Sequence, residues 1–121
     1  MAISRCNTAG FRLLLGLALV IVTWLVLTPR PVPMPDQVGA DKWAHLLAFT
    51  VLAYLADASW PSRGFDALKW VPLGGYAIAL ESLQMWVPNR FFELWDIAAN
   101  LLGIALYALV LTRLFRSVGL R

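Results

Sequence analysis

The chain has one cysteine, Cys6, so an intramolecular disulfide is excluded. The simplest reading of Cys6 is a reduced thiol with no structural consequence. Charge is also scarce, at 14% of 121 residues. Soluble domains carry closer to a quarter. There is no HExxH spacing for zinc and no GxSxG context that would make Ser82 a nucleophile. Internal repeats and low-complexity tracts are missing too. No small-x-small cleavage site follows the first apolar run, which ends in Thr28-Pro29-Arg30-Pro31. That run reads as a retained anchor, not a signal peptide. Cys6 precedes the run, which excludes a lipoprotein reading.

What is present is apolar. Hydrophobic residues make up 60% of the chain and mean hydropathy is +0.71. This is the composition of an integral membrane protein with a single domain over residues 1–121. The net charge is +3. The basic residues stand at the ends of apolar segments, where membrane orientation explains them better than nucleic acid, so no nucleic-acid partner is expected.

Four apolar segments predict four transmembrane helices over about residues 11–27, 42–58, 70–87 and 95–115. The expected fold is an all-α four-helix transmembrane bundle in the cell membrane. Pro29, Pro31, Pro33 and Pro35 extend the first loop. Pro61 breaks the second loop, Pro88 ends the third helix, and Pro72 suits a first helical turn. Arg5, Arg12, Arg63, Lys69, Arg113, Arg116 and Arg121 fall on one side, against Arg30, Lys42 and Arg90 on the other. Seven cations against three place both termini in the cytoplasm. Trp43, Trp86 and Trp95 would mark the outer interface, and Trp60 and Trp70 the inner one. Gly75 with Ala79, and Ala99 with Gly103, are candidate close helix contacts.

Polar groups remain inside or beside these segments. Each costs roughly 2–3 kcal/mol or more in lipid unless partnered. Asp41 and His45 share a face at i and i+4, with Lys42 beside them. Glu81 and Gln84 are at i and i+3 in the third segment. Asp96, Asn100 and Gly103 share a face of the fourth, and Arg90 and Glu93 sit in the loop before it. These positions predict an outward-facing polar pocket formed by Asp41, Lys42, His45, Glu81, Gln84, Arg90, Glu93, Asp96 and Asn100. Asp57, Asp66, Arg63 and Lys69 read as solvated inner-loop charges. Glu81, His45 and Asp96 are the candidates for acid–base chemistry, although each also has a plain structural role as an ion-pair or packing partner. Neither a metal nor another cofactor is expected.

In order and spacing, Asp41-Lys42-x-x-His45, Glu81-x-x-Gln84 and Pro88-Asn89-Arg90-x-x-Glu93-x-x-Asp96-x-x-x-Asn100-x-x-Gly103 resemble the VanZ-like membrane family, named for a teicoplanin-resistance protein. The resemblance covers roughly Asp41 to Gly103. Asn89 stands where the family has glycine and Glu93 where it has aspartate, which keeps a turn former and a carboxylate. The resemblance implies a small envelope protein linked to glycopeptide susceptibility. The expected partners are membrane lipids and a lipid-linked cell-wall precursor or envelope protein. Three functions stay open: binding an envelope lipid or wall component, intramembrane acid–base catalysis on an outer-leaflet lipid, and proton-coupled transport. Transport is the least favoured, because the polar groups occupy only the outer half.

Overall fold

A computed structural model describes residues 5–29, 40–88 and 94–121, with the side chains of Arg5, Cys6, Ala40 and Asp41 outside that description. Among the described residues there are four helices and no strand. They are α1 (Arg5–Leu27), α2 (Ala40–Ser59), α3 (Ala67–Gln84) and α4 (Leu94–Ser117). By length and composition, α1 and α4 could cross a membrane.

The helices follow the long apolar runs, and they stop where the chain supplies turns. After Gln84, Met85, Trp86 and Val87 donate to carbonyls three residues back, which tightens the last turn ahead of Pro88. At its other end α3 starts earlier than the proline suggests. Pro72 is its sixth residue and lies inside the helix, not in the first turn. The extra turn has a cause: Lys69 is buried and held, so the helix reaches back to Ala67 to place it.

The core comes from the inward faces of α2, α3 and α4. Phe49, Leu52 and Ala53 meet Leu73, Ala77, Leu80, Ile104 and Tyr107, and α1 lays Leu15, Leu19 and Val22 against them. The most extensive helix contact is between α2 and α4. Gly103 sets its closeness. A Cβ there would collide with the Leu46 carbonyl oxygen and stand 3.1 Å from Thr50 Oγ1. The Thr50 hydroxyl lies 2.7 Å from the Leu46 carbonyl and 3.2 Å from the Gly103 carbonyl, so its proton ties the two backbones together. The other expected small pair does not pack this way. Gly75 and Ala79 are exposed, and an added Cβ at Gly75 meets nothing within 4 Å. Gly74, one residue earlier, is the glycine that approaches α4, at Leu101.

Inside α4, Tyr107–Leu111 forms a π-helical turn. The buried face runs Asp96, Asn100, Gly103, Tyr107 and then Thr112, with a step of five at the end. Thr112 donates to the Ala108 carbonyl beside the widened turn.

The chain then turns back on itself. Gly119 has φ 83°, Leu120 N–H bonds the Phe115 carbonyl at 2.8 Å, and Gly119 N–H bonds the Arg116 carbonyl at 3.4 Å. This is the glycine-dependent helix ending in which a left-handed residue redirects the chain. It brings Arg121 onto α2. Gly119→Ala should therefore cost about 1–3 kcal/mol through backbone strain alone. A thermal melt of the purified protein in detergent checks this, and an unchanged midpoint would show that the turn does not need glycine.

Candidate functional site

Two polar clusters occupy opposite ends of the bundle. The first joins α2 to α4 near the start of both helices. His45 Nδ1 donates to Asn100 Oδ1 at 2.8 Å, and Lys42 Nζ lies 2.9 Å from Asp96 Oδ1. His45 Nε2 is 3.8 Å from Asp96 Oδ2 on the other side of the ring. The i, i+4 spacing of Asp96 and Asn100 makes this possible, since one helical face presents both groups to a single imidazole. Asp96 and Asn100 are buried, whereas Lys42 keeps 29% of its side chain exposed, as a cation reaching for water would.

α3 contributes differently. Gln84 Nε2 donates to the Val26 carbonyl of α1 at 2.7 Å, so it ties the bundle to the end of α1 and does not enter the α2–α4 cluster. It shares a cavity wall with His45 all the same. A cavity of about 270 Å³ is lined by His45, Gln84, Val22, Leu25, Val26, Ala44, Ala48 and Phe49. Its size is just under the usual range of about 300–1,000 Å³ for a small-ligand site. Glu81 is fully buried, on the same face of α3 as Gln84. Of the expected site residues, the Asp41 side chain, Arg90 and Glu93 lie outside the described residues. Lys42, His45, Asp96 and Asn100 come together, and Gln84 shares a cavity wall with His45 alone among them.

The second cluster was not expected. Asp57 and Lys69 are not solvated loop charges: both are buried, Asp57 completely. Lys69 Nζ lies 2.7 Å from Asp57 Oδ1, and Tyr107 Oη donates to Asp57 Oδ2 at 2.6 Å. Arg121 adds Nε at 2.9 Å from Oδ2 and a terminal nitrogen at 3.1 Å from Oδ1. The same two cations, joined by Arg12, satisfy carbonyls left open where α2 ends and in the turn after it. Lys69 donates to the Asp57, Trp60 and Arg63 carbonyls, Arg12 to Ser59, and Arg121 to Pro61 and Arg63. The other two charges do match the sequence reading. Arg63 and Asp66 form a half-exposed pair, and Arg63's two hydrogen bonds, at 2.6 and 3.0 Å, hold the Asp66 carboxyl below its ordinary pKa. One signal did mark Asp57 in the sequence, its setting in the run Leu55-Ala56-Asp57-Ala58 with no polar neighbour.

This second cluster is saturated: three cationic or hydroxyl partners surround one carboxylate, which suits holding a fold better than turning over a ligand. Each cluster reaches a cavity through one residue, His45 in the first and Lys69 in the second, but Lys69 is committed to Asp57 and three backbone carbonyls. Among the described residues, no three His, Cys, Asp or Glu side chains gather as metal ligands would. Comparisons with family models, curated proteins and solved structures find no match to this chain.

Proposed function

We propose that the chain is a four-pass protein of the cell membrane, VanZ-like in character, with both termini on the cytoplasmic side. In this reading its outer polar pocket binds the head group of an envelope lipid or a lipid-linked cell-wall component and so alters glycopeptide susceptibility. One observation carries the reading: His45, held in a cluster with Lys42, Asp96 and Asn100, lines a cavity that also reaches Gln84. Lys42 and the imidazole supply donors for a phosphate or carboxylate, and Gln84 supplies an amide. Support for four spans comes from the outside of the bundle. Trp43, Leu47 and Val51 on α2 and Leu68, Val71, Ile78 and Leu83 on α3 are exposed, as are Leu13, Leu17 and Val20 on α1. Water-facing surfaces rarely carry so much contiguous apolar area.

Topology is tested first. In intact cells, an impermeant thiol reagent should label Asn89→Cys and spare Ser62→Cys, which replaces an exposed residue of the α2–α3 loop. The opposite pattern would invert the bundle. Binding is tested with His45→Ala. The variant should reach wild-type levels in membranes and lose the teicoplanin phenotype, because the ring lies at the cavity wall. A retained phenotype at normal abundance would remove His45 from the site.

A second reading, intramembrane acid–base catalysis on an outer-leaflet lipid, rests on the imidazole set between Asn100 and Asp96 and on the buried acid Glu81. Glu81→Gln keeps shape and hydrogen-bonding capacity and removes the charge. Under catalysis, the variant accumulates normally, still binds lipid and loses the phenotype. If Glu81 serves only to pair a cation, its protein level falls instead.

A further inference from the structure

At the end opposite the polar pocket, α1, the end of α2 and the start of α3 enclose a cavity of about 440 Å³. Leu15, Leu19, Ala56, Leu73 and Tyr76 give it apolar walls. Tyr76 closes it at mid-depth through hydroxyl contacts to Thr23 at 2.6 Å and to the Leu19 carbonyl at 3.0 Å. Trp60, Leu68 and Pro72 also line it and are exposed, so it is reached from the flank of the bundle. The cavity is much larger than packing defects in a core and matches the volume of a small-ligand site.

Its rim is cationic: Arg63 lines it, and Arg12 stands over Trp60, another lining residue. The Arg12 guanidinium sits 5.2 Å above the Trp60 ring, which fixes its position. Arg12 uses Nε on the Ser59 carbonyl, and Arg63 uses Nε and one terminal nitrogen on Asp66. Both side chains are exposed. Lys69 also lines the cavity, but it is committed to Asp57 and three backbone carbonyls. Among the described side chains at this end, Arg12, Arg63, Lys69, Arg113, Arg116 and Arg121 face only two carboxylates, Asp57 and Asp66. An apolar slot under a surplus of forked cations fits an amphiphile with a long hydrocarbon chain and a phosphate.

We propose that this cavity seats one acyl chain of an anionic inner-leaflet phospholipid whose phosphate is held by Arg12 and Arg63. The proposal rests on the membrane reading above, with this end facing the cytoplasm, and it concerns a different site from the outer pocket. A zwitterionic phospholipid offers the same chain and phosphate but brings its own cation to a rim already rich in them, so anionic lipid is preferred.

The test uses the full chain purified in detergent, with dioleoyl phosphatidylglycerol and dioleoyl phosphatidylcholine as probes and native mass spectrometry as the readout. The wild type should retain one phosphatidylglycerol in preference to phosphatidylcholine. Each of Arg12→Gln and Arg63→Gln should cut that preference on the order of fivefold, the effect of one basic residue on anionic lipid. Leu15→Trp, which fills the slot and leaves the rim intact, should reduce retention of both lipids. Arg12→Lys keeps the charge without the fork and should fall between wild type and Arg12→Gln, which separates phosphate recognition from any loss of fold. Equal retention of the two lipids by the wild type, an undiminished preference in both glutamine variants, or full retention by Leu15→Trp would each overturn the proposal. Release of the protein from membranes by alkaline carbonate would instead overturn the membrane reading itself. A protein that stays in the membrane without lipid preference would sink only this inference.

Discussion

Asp57→Ala should destabilise the protein by about 3–5 kcal/mol, because it strands two cations in the interior. Lys69 and Arg121 retain only 4% and 7% of their side-chain exposure, and the carboxylate between them is their common counter-charge. Tyr107 loses its acceptor at the same time. Two comparisons give the number meaning. Tyr107→Phe removes one hydrogen bond to a charged group and should cost about 1.5–3 kcal/mol. Asp66→Ala breaks a pair whose members are 50% and 40% exposed, and should cost at most about 1 kcal/mol. Denaturant titration in detergent, followed by helical circular dichroism, measures all three. If Asp57→Ala cost no more than Asp66→Ala, the Asp57 cluster would not be holding α2, α3 and the carboxyl end together.

Gly103→Ala should cost about 1–3 kcal/mol and should disturb the His45–Asn100 cluster as well. The atom in its way is a backbone carbonyl oxygen, that of Leu46, which cannot rotate aside as a side chain could. α2 and α4 must therefore move apart. His45 sits one residue before Leu46 and Asn100 one turn before Gly103, so the 2.8 Å hydrogen bond between them lengthens with the helix separation. Gly75→Ala is the control: nothing stands within 4 Å of the new methyl. It should be neutral or stabilise by about 0.5–1 kcal/mol through helix propensity. Melting midpoints of the two variants decide the matter. Equal behaviour would mean that Gly103 does not set the α2–α4 distance.

The helices are legible in the sequence because hydropathy and proline placement act locally. Each expected span overlaps one observed helix, and the α4 span runs to within two residues of Ser117. The α3 span is displaced, and the displacement is instructive. Trp86 and Val87 are apolar yet lie in the turn after the helix, whereas Lys69 is charged yet buried inside it. Hydropathy records what a side chain prefers in isolation, and Lys69 is stabilised by partners supplied from Asp57, Trp60 and Arg63. The grouping of His45 with Asp96 and Asn100 is legible for the opposite reason: regular i, i+4 spacing puts those groups on faces that must meet. Gln84 shares the spacing logic with Glu81, but its partner is a backbone carbonyl of α1, and any residue type at Val26 would provide one. Asp57 finds Arg121 through a left-handed glycine and a tight turn 64 positions away, which no local pattern encodes.

The π-helical turn bears on how freely the length of α4 could vary. In a regular helix the neighbour of Tyr107 on the buried face would be four residues on, at Leu111, but here it is Thr112. The helix thus contains one residue more than its inward face uses, and the widened turn absorbs the surplus. Had the surplus been wound into ordinary α-helix, everything from Thr112 onward would be rotated by about 100° about the axis. The carboxyl-terminal arginine would then emerge on the wrong side of the bundle. The two ends of α4 accordingly keep independent phase: one is aligned to His45, the other to Asp57, and the widened turn separates them.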